Sequence, residues 1–193
     1  MTSRQNPGDC ITSFSKGKVS MPKTRPFGPV VSTIAEPRLE FAFELRLHFT
    51  RVQMIEKMPS GANRGAVYVD SGEFSGPRLR GKAVPNSGGD YSLFRPDDVA
   101  AFDARYMLQE DDGTLILVNN RGYLWGRGAD TMDRLRKMAF AAGPAVDPSE
   151  YYLRAFPTFE VNTGKHDWLM RYVFVGVGER KSDGNLIRYF ALL

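Results

Sequence analysis

From Leu39 to Phe49 apolar and polar positions alternate without a break. Leu39, Phe41, Phe43, Leu45, Leu47 and Phe49 fall on one face; Glu40, Ala42, Glu44, Arg46 and His48 fall on the other. Successive side chains of a strand leave on opposite faces, so this run predicts a long, half-buried β-strand. In a sandwich the polar face meets water. In a small closed barrel it could line a cavity, which would set Glu44, Arg46 and His48 among the walls.

Turn signals punctuate shorter apolar stretches beyond it. Ser60 to Gly65 reads as a loop, Ala66 to Asp70 as a strand, and Ser71-Gly72 and Gly76-Pro77 as turns. Arg78 to Val84 alternates again, and Pro85-Asn86-Ser87-Gly88-Gly89 is a tight loop. Asp103–Gln109 and Thr114–Asn119 flank Glu110-Asp111-Asp112-Gly113, a hairpin signature, and Gly122 to Trp125 continues the β-pattern. One helix is expected. Asp130 is its N-cap, Met132, Leu135, Ala139 and Phe140 form its apolar face, and Gly143-Pro144 stop it. Strands at Tyr151–Phe156, Trp168–Val177 and Leu186–Leu193 follow, the last two joined through Ser182-Asp183-Gly184-Asn185. Eight or nine short strands with one helix predict an all-β sandwich or barrel.

Composition narrows the function classes. The chain has 193 residues, enough for one domain with a real core. Cys10 is its one cysteine, which excludes an intrachain disulfide and fits a reducing, cytoplasmic setting. Two histidines, His48 and His166, leave too few imidazole or thiolate ligands for a usual transition-metal site, so no metal or cofactor is expected. No apolar run approaches the ~20 residues of a membrane-spanning helix, and no signal peptide is evident. The formal charge of +4 arises in residues 1–35, where five basic residues face Asp9 alone. The rest is balanced, which argues against nucleic acid as a partner. Residues 1–37 read as a flexible basic tail and 38–193 as a single barrel domain, with a helical insertion at about 127–150.

Several segments together resemble one family. They are Gly76-Pro77-Arg78-Leu79-Arg80-Gly81, Val84-Pro85-Asn86-Ser87-Gly88-Gly89-Asp90-Tyr91, Phe102-Asp103-Ala104-Arg105-Tyr106, and Asp112-Gly113 with Leu117-Val118-Asn119 and Gly122. Tyr152-Leu153-Arg154, Pro157-Thr158-Phe159-Glu160, and Trp168-Leu169 with Phe174-Val175-Gly176 complete the set. No one motif is specific; their order and spacing resemble the domain of unknown function 3237 family, also catalogued as UPF0311. The resemblance spans about Leu39 to Leu193. It implies a calycin-like antiparallel β-barrel with an internal pocket, akin to allene oxide cyclases. For fungal polyketide pathways it implies stereocontrolled ring closure by adding an alcohol across an alkene (hydroalkoxylation). The tail and the 127–150 insertion depart from the family pattern.

The candidate catalytic residues are Asp90, Arg105, Glu160 and Arg154. Asp90, at a loop-to-strand junction, is a candidate general acid or base, or else a turn cap. Asp103, Arg105 and Met107 share one strand face; Ala104, Tyr106 and Leu108 share the other. If Arg105 points inward it could hold a developing oxyanion; otherwise Asp103 and Arg105 are a charge pair. Arg154 and Glu160 could polarise a hydroxyl inside a pocket, or form a surface pair outside it. His48, Tyr91, Asn119, Tyr152 and Trp168 are the candidate ligand contacts, with core as the alternative for Trp168; His166 reads as a loop residue. The expectation is a cofactor-independent cyclase or isomerase acting on a small aromatic, polyketide-type molecule. The alternative is a lipocalin-like carrier without chemistry. Oligomeric state stays open.

Overall fold

The computed structural model describes residues 35–193; the tail expectation lies outside them. Ten strands make one antiparallel sheet: β1 (Leu39–Ile55), β2 (Asn63–Ser75), β3 (Arg80–Ala83), β4 (Gly89–Asp90), β5 (Leu93–Phe94), β6 (Ala100–Glu110), β7 (Leu115–Gly126), β8 (Tyr151–Val161), β9 (Val173–Lys181) and β10 (Gly184–Leu192). A helix, α1 (Thr131–Phe140), and a short 3-10 turn (Pro148–Glu150) lie between β7 and β8; a second 3-10 turn (Asp167–Met170) precedes β9. The sheet runs β1-β10-β9-β8-β7-β6-β3-β2, and β1 pairs with β2 to close the ring. The fold is a closed β-barrel, which leaves no long open edge.

One stave of the barrel is broken. Between β2 and β6 the chain passes once, as three short pieces. β3 pairs with the Glu73 end of β2, β4 with Val67–Tyr68 and β5 with Asn63–Arg64, and all three also pair with β6. Counting β3, β4 and β5 as one stave gives eight. A barrel of that size has an interior just wide enough to be filled by side chains or to hold one small ligand.

The β1 alternation holds only from Phe43 onward. The register against β10 slips between Phe41 and Phe43, so Ala42 and Phe43 are both buried and Leu39 stands 55% exposed. A bulge inserts one residue, and everything before it changes face. Beyond it Phe43, Leu45 and Leu47 point inward. Glu44, Arg46 and His48 therefore point out of the barrel, not into a cavity wall.

The interior has two halves. At one end Phe43 packs against Phe74, Phe159 and Tyr189, with ring centroids 6.0, 5.8 and 4.9 Å away, and Trp168 and Phe174 extend the cluster. At the other end α1 covers the barrel with Met132, Leu135 and Met138. Gly143 N–H donates to Lys137 O at 3.0 Å to end the helix, and Ala142, not the glycine, takes the positive φ of 50°. Phe140, expected on the apolar face, is exposed. Trp168 lies in the 3-10 turn instead of opening a strand, and β8 runs on to Val161.

Candidate functional site

Under α1 the barrel is hollow. The cavity measures about 90 Å³. Its wall is largely apolar, including Val67, Val69, Phe94, Phe102, Leu124 and Leu153, and α1 closes over it through Met132 and Leu135. Arg136 and Phe140 line the same cavity while staying partly exposed, so the mouth lies along the helix. Six polar side chains face in: Asp90, Ser92, Tyr106, Asn120, Arg180 and Asn185.

The broken stave puts Asp90 there. Strand β4 must squeeze between β2 and β6, with Gly89 opposite both Tyr68 and Arg105. A Cβ on Gly88 would fall 1.9 Å from Arg105 O, and one on Gly89 would fall 2.7 Å from Val67 O. Two glycines are what this passage admits. Alternation then sends Asp90 inward, Tyr91 out to solvent, and Ser92 and Phe94 inward.

Asp90 is held firmly. Its Oδ2 accepts from Ser92 Oγ at 2.7 Å, and its Oδ1 accepts from Asp103 N–H at 3.0 Å. Burial pushes its pKa up to about 6, while those two hydrogen bonds and the charge of Arg180 pull it down. The carboxyl is thus poised to change protonation near neutral pH. Arg180, whose own pKa burial lowers, donates to Asn185 Oδ1 at 3.0 Å, and its backbone N–H donates to Tyr151 Oη at 2.9 Å.

The other candidates do not join Asp90. On β6 the inward face is Ala104-Tyr106-Leu108, so Arg105 points out with its side chain 64% exposed, 3.9 Å from Asp103. On β8 the inward residues are Tyr151, Leu153, Ala155, Pro157 and Phe159; Arg154 and Glu160 are on the outer face. Arg154 lies over the Tyr152 ring, and Tyr152 stacks on Trp125 outside the barrel. His48 Nδ1 pairs with Asp183 at 2.9 Å on the outer surface. On β7 the inward residues are Ile116, Val118 and Asn120, which leaves Asn119 facing away. Trp168 is core, under the Arg78 guanidinium and beside Phe174 at the packed end.

Sequence reasoning passed over Asn120, Arg180, Asn185 and Ser92. The signal was present for three of them. Period two carried from Ile116 reaches Asn120, from Phe174 reaches Arg180, and from Asp90 reaches Ser92. Glycines at 176 and 178 thin the apolar pattern that would have pointed to Arg180.

Potential metal ligands gather elsewhere. Glu110, Asp112 and His166 bring one ligand atom each within 4.8 Å of one another, at the far end of β6 from the cavity. Lys165 Nζ already stands 3.2 Å from Glu110 and 3.4 Å from Asp112. His166 lies in the turn before the second 3-10 segment, as expected for a loop residue, and is 1% exposed. The group reads as a charge clamp tying the β6–β7 hairpin to the turn before β9. Among the described residues no helix is long and apolar enough to cross a membrane.

The family model described as a protein of unknown function (DUF3237) matches residues 37–192. The chain belongs to that family. A UPF0311 protein of Clostridium acetobutylicum is 29% identical over 162 residues, covering 84% of this chain and 98% of that protein. The crystal structure of a conserved protein of unknown function from Rhodopseudomonas palustris superposes with a TM-score of 0.74 at 26% identity, covering 83% of this chain and all of that one. A structure described as an enzyme from Penicillium herquei superposes with a TM-score of 0.61 at 19% identity, covering 85% and 100%. At that identity the likeness concerns the fold.

Proposed function

We propose that this DUF3237 member is a cofactor-independent cyclase or isomerase. It closes an oxygen-containing ring on a small aromatic, polyketide-type molecule by intramolecular addition of a hydroxyl across an alkene. One observation carries the reading: a single carboxyl, Asp90, with its pKa raised to about 6, set in an apolar cavity beside Arg180. The fold shared with a protein described as an enzyme agrees with it. A cavity of this size takes one ring-sized end of the ligand, and the rest lies along the mouth beneath α1.

The reaction is redox-neutral and conserves every atom. Protonated Asp90 gives its proton to one alkene carbon as the substrate oxygen bonds to the other. The π bond is consumed and the C–O bond forms. The hydroxyl proton returns to the Asp90 carboxylate, which restores the starting state. A pKa near working pH serves both halves, because the same group must give and take the proton. Arg180 stabilises the transient carboxylate, and Ser92 with the Asp103 N–H hold its orientation. The fixed walls present one face of the alkene, so one enantiomer results.

Asp90→Asn keeps the shape and removes the ionisable group. Turnover of an alkenyl phenol should fall roughly 100-fold or more, with the fold intact by circular dichroism. Chiral chromatography separates the readings. A single enantiomer from the wild type supports catalysis. A racemate forming at the uncatalysed rate makes the barrel a carrier.

A further inference from the structure

Two polar side chains of the cavity wall end in buried atoms that the protein leaves without partners. Asn120 is 3% exposed and Tyr106 1% exposed. Asn120 Oδ1 and Tyr106 Oη have no hydrogen-bond partner among the described residues, and both residues line the cavity. The Tyr189 hydroxyl neighbours that of Tyr106, yet neither forms a well-made hydrogen bond. Burial pushes the Tyr106 hydroxyl well above its ordinary pKa, so it stays protonated and able to donate. A buried polar atom left unpaired costs stability, and apolar replacements would fit a site meant only for packing. Phe at 106 and Leu at 120 would do.

We infer that Asn120 and Tyr106 form a subsite for a ligand hydroxyl, and that the buried end of the ligand carries a free phenolic or enolic OH. Complementarity selects that group. Asn120 Oδ1 accepts one hydrogen bond, and Tyr106 O–H donates one. A hydroxyl is the small group that donates and accepts at a single atom. A carbonyl or a methyl ether can accept from Tyr106 but leaves the Asn120 oxygen unpaired. A site built to pair a hydroxyl rejects the analogue lacking it far more strongly than an apolar pocket rejects a methyl group. Residues 106 and 120 therefore set ligand specificity, whereas Asp90 carries the proton. The inference rests on the proposed function only in taking this cavity as the ligand site.

The test uses phenol and toluene, which have the same shape and differ by OH against CH3, in NMR titrations of the full chain. The wild type should bind phenol at least 10-fold more tightly than toluene. Tyr106→Phe and Asn120→Leu should each bring the ratio close to one by weakening phenol, with toluene unchanged or tighter. Arg105→Ala, on the outer face of β6, should keep the preference. Equal binding of the two probes by the wild type overturns the subsite and leaves the catalytic reading standing. Binding of neither overturns the cavity as a ligand site, and both proposals with it. A retained preference with no enantioselective turnover supports the subsite in a carrier. If one variant fails to fold, Asn120→Asp, which keeps the acceptor and removes the amide donor, should preserve the preference for phenol.

Discussion

The two ends of this barrel share strands, length and pairing, yet one is solid and the other hollow. At the solid end the inward positions hold Phe43, Phe74, Phe159 and Phe174, whose rings meet edge-on and are all buried. At the hollow end the inward positions hold Ala100 and Ala104 on β6, Asn120 on β7 and Arg180 on β9. The difference shows how a barrel of eight staves divides its labour. Large rings at one end supply stability, since buried aromatics remove the most apolar surface from water. Smaller and polar residues at the other end give up part of that stability and create a site.

Hollowing out the solid end should cost the fold most. Phe43→Ala should destabilise the fold by about 3–5 kcal/mol, the usual range for a fully buried Phe. Leu124→Ala, at the cavity wall, should cost less than half of that, because Leu124 is only partly buried and already borders open space. Chemical denaturation of the two variants measures both. Equal costs would mean the ends are equally packed.

The second prediction uses pH to find the charge that the hollow end tolerates. The folded chain holds the Asp90 proton to about pH 6, whereas the unfolded chain releases it near its ordinary value of 3.8. The folded pKa is the higher one. The neutral carboxyl therefore favours folding below about pH 4, and that contribution is lost as pH rises through 6. Asp90→Asn removes the titration. Its stability relative to wild type should improve by roughly 2–3 kcal/mol between pH 4 and pH 7. A difference that stays flat with pH would show that Asp90 keeps its ordinary pKa.

The solid end closes with a polar clamp of smaller effect. Glu110 is 6% exposed, its Oε2 accepts from Asp112 N–H at 2.7 Å, and its Oε1 faces Lys165 and His166. His166→Ala should cost about 1–3 kcal/mol through lost packing and an under-satisfied carboxylate. Phenol binding at the distant cavity should not change. Thermal melts and the NMR titration together check it.

Much of the fold was legible in the sequence, though not the division between its two ends. The antiparallel strands, the inserted helix and the Asp-Gly hairpin follow from period and turn chemistry, which leave sandwich and barrel open; the family resemblance pointed to the closed barrel. The exposure of Asp90 to a pocket follows from its place after two glycines. What failed was the choice of face. On β6 the apolar triplet Ala104-Tyr106-Leu108 has to be the inward set, and Arg105 drew attention through its chemistry. On β7 the neighbouring asparagines differ by one residue, and that step reverses the face. The bulge at Phe41–Phe43 cannot be read from alternation, because the pattern continues through it. Arg180 and Asn185 come together only through the β9–β10 hairpin and the closure of the ring.

Inside and outside also differ between adjacent residues of a single strand. Arg105 neighbours Tyr106 in sequence, and the Gly88–Gly89 passage presses against its carbonyl. Its guanidinium nevertheless stands in solvent, loosely paired to Asp103 at 3.9 Å. An exposed pair of that geometry contributes about 0–1 kcal/mol. Arg105→Ala should therefore change stability by no more than about 0.5 kcal/mol and leave phenol binding and turnover as in the wild type. Glu160→Gln, outward on β8, should behave the same way. Tyr106→Phe, one residue further on, should change phenol binding 10-fold or more. If Arg105→Ala instead abolishes turnover while the fold stays intact, the outer surface takes part in the chemistry. The site would then extend over the rim of the barrel instead of ending at its wall.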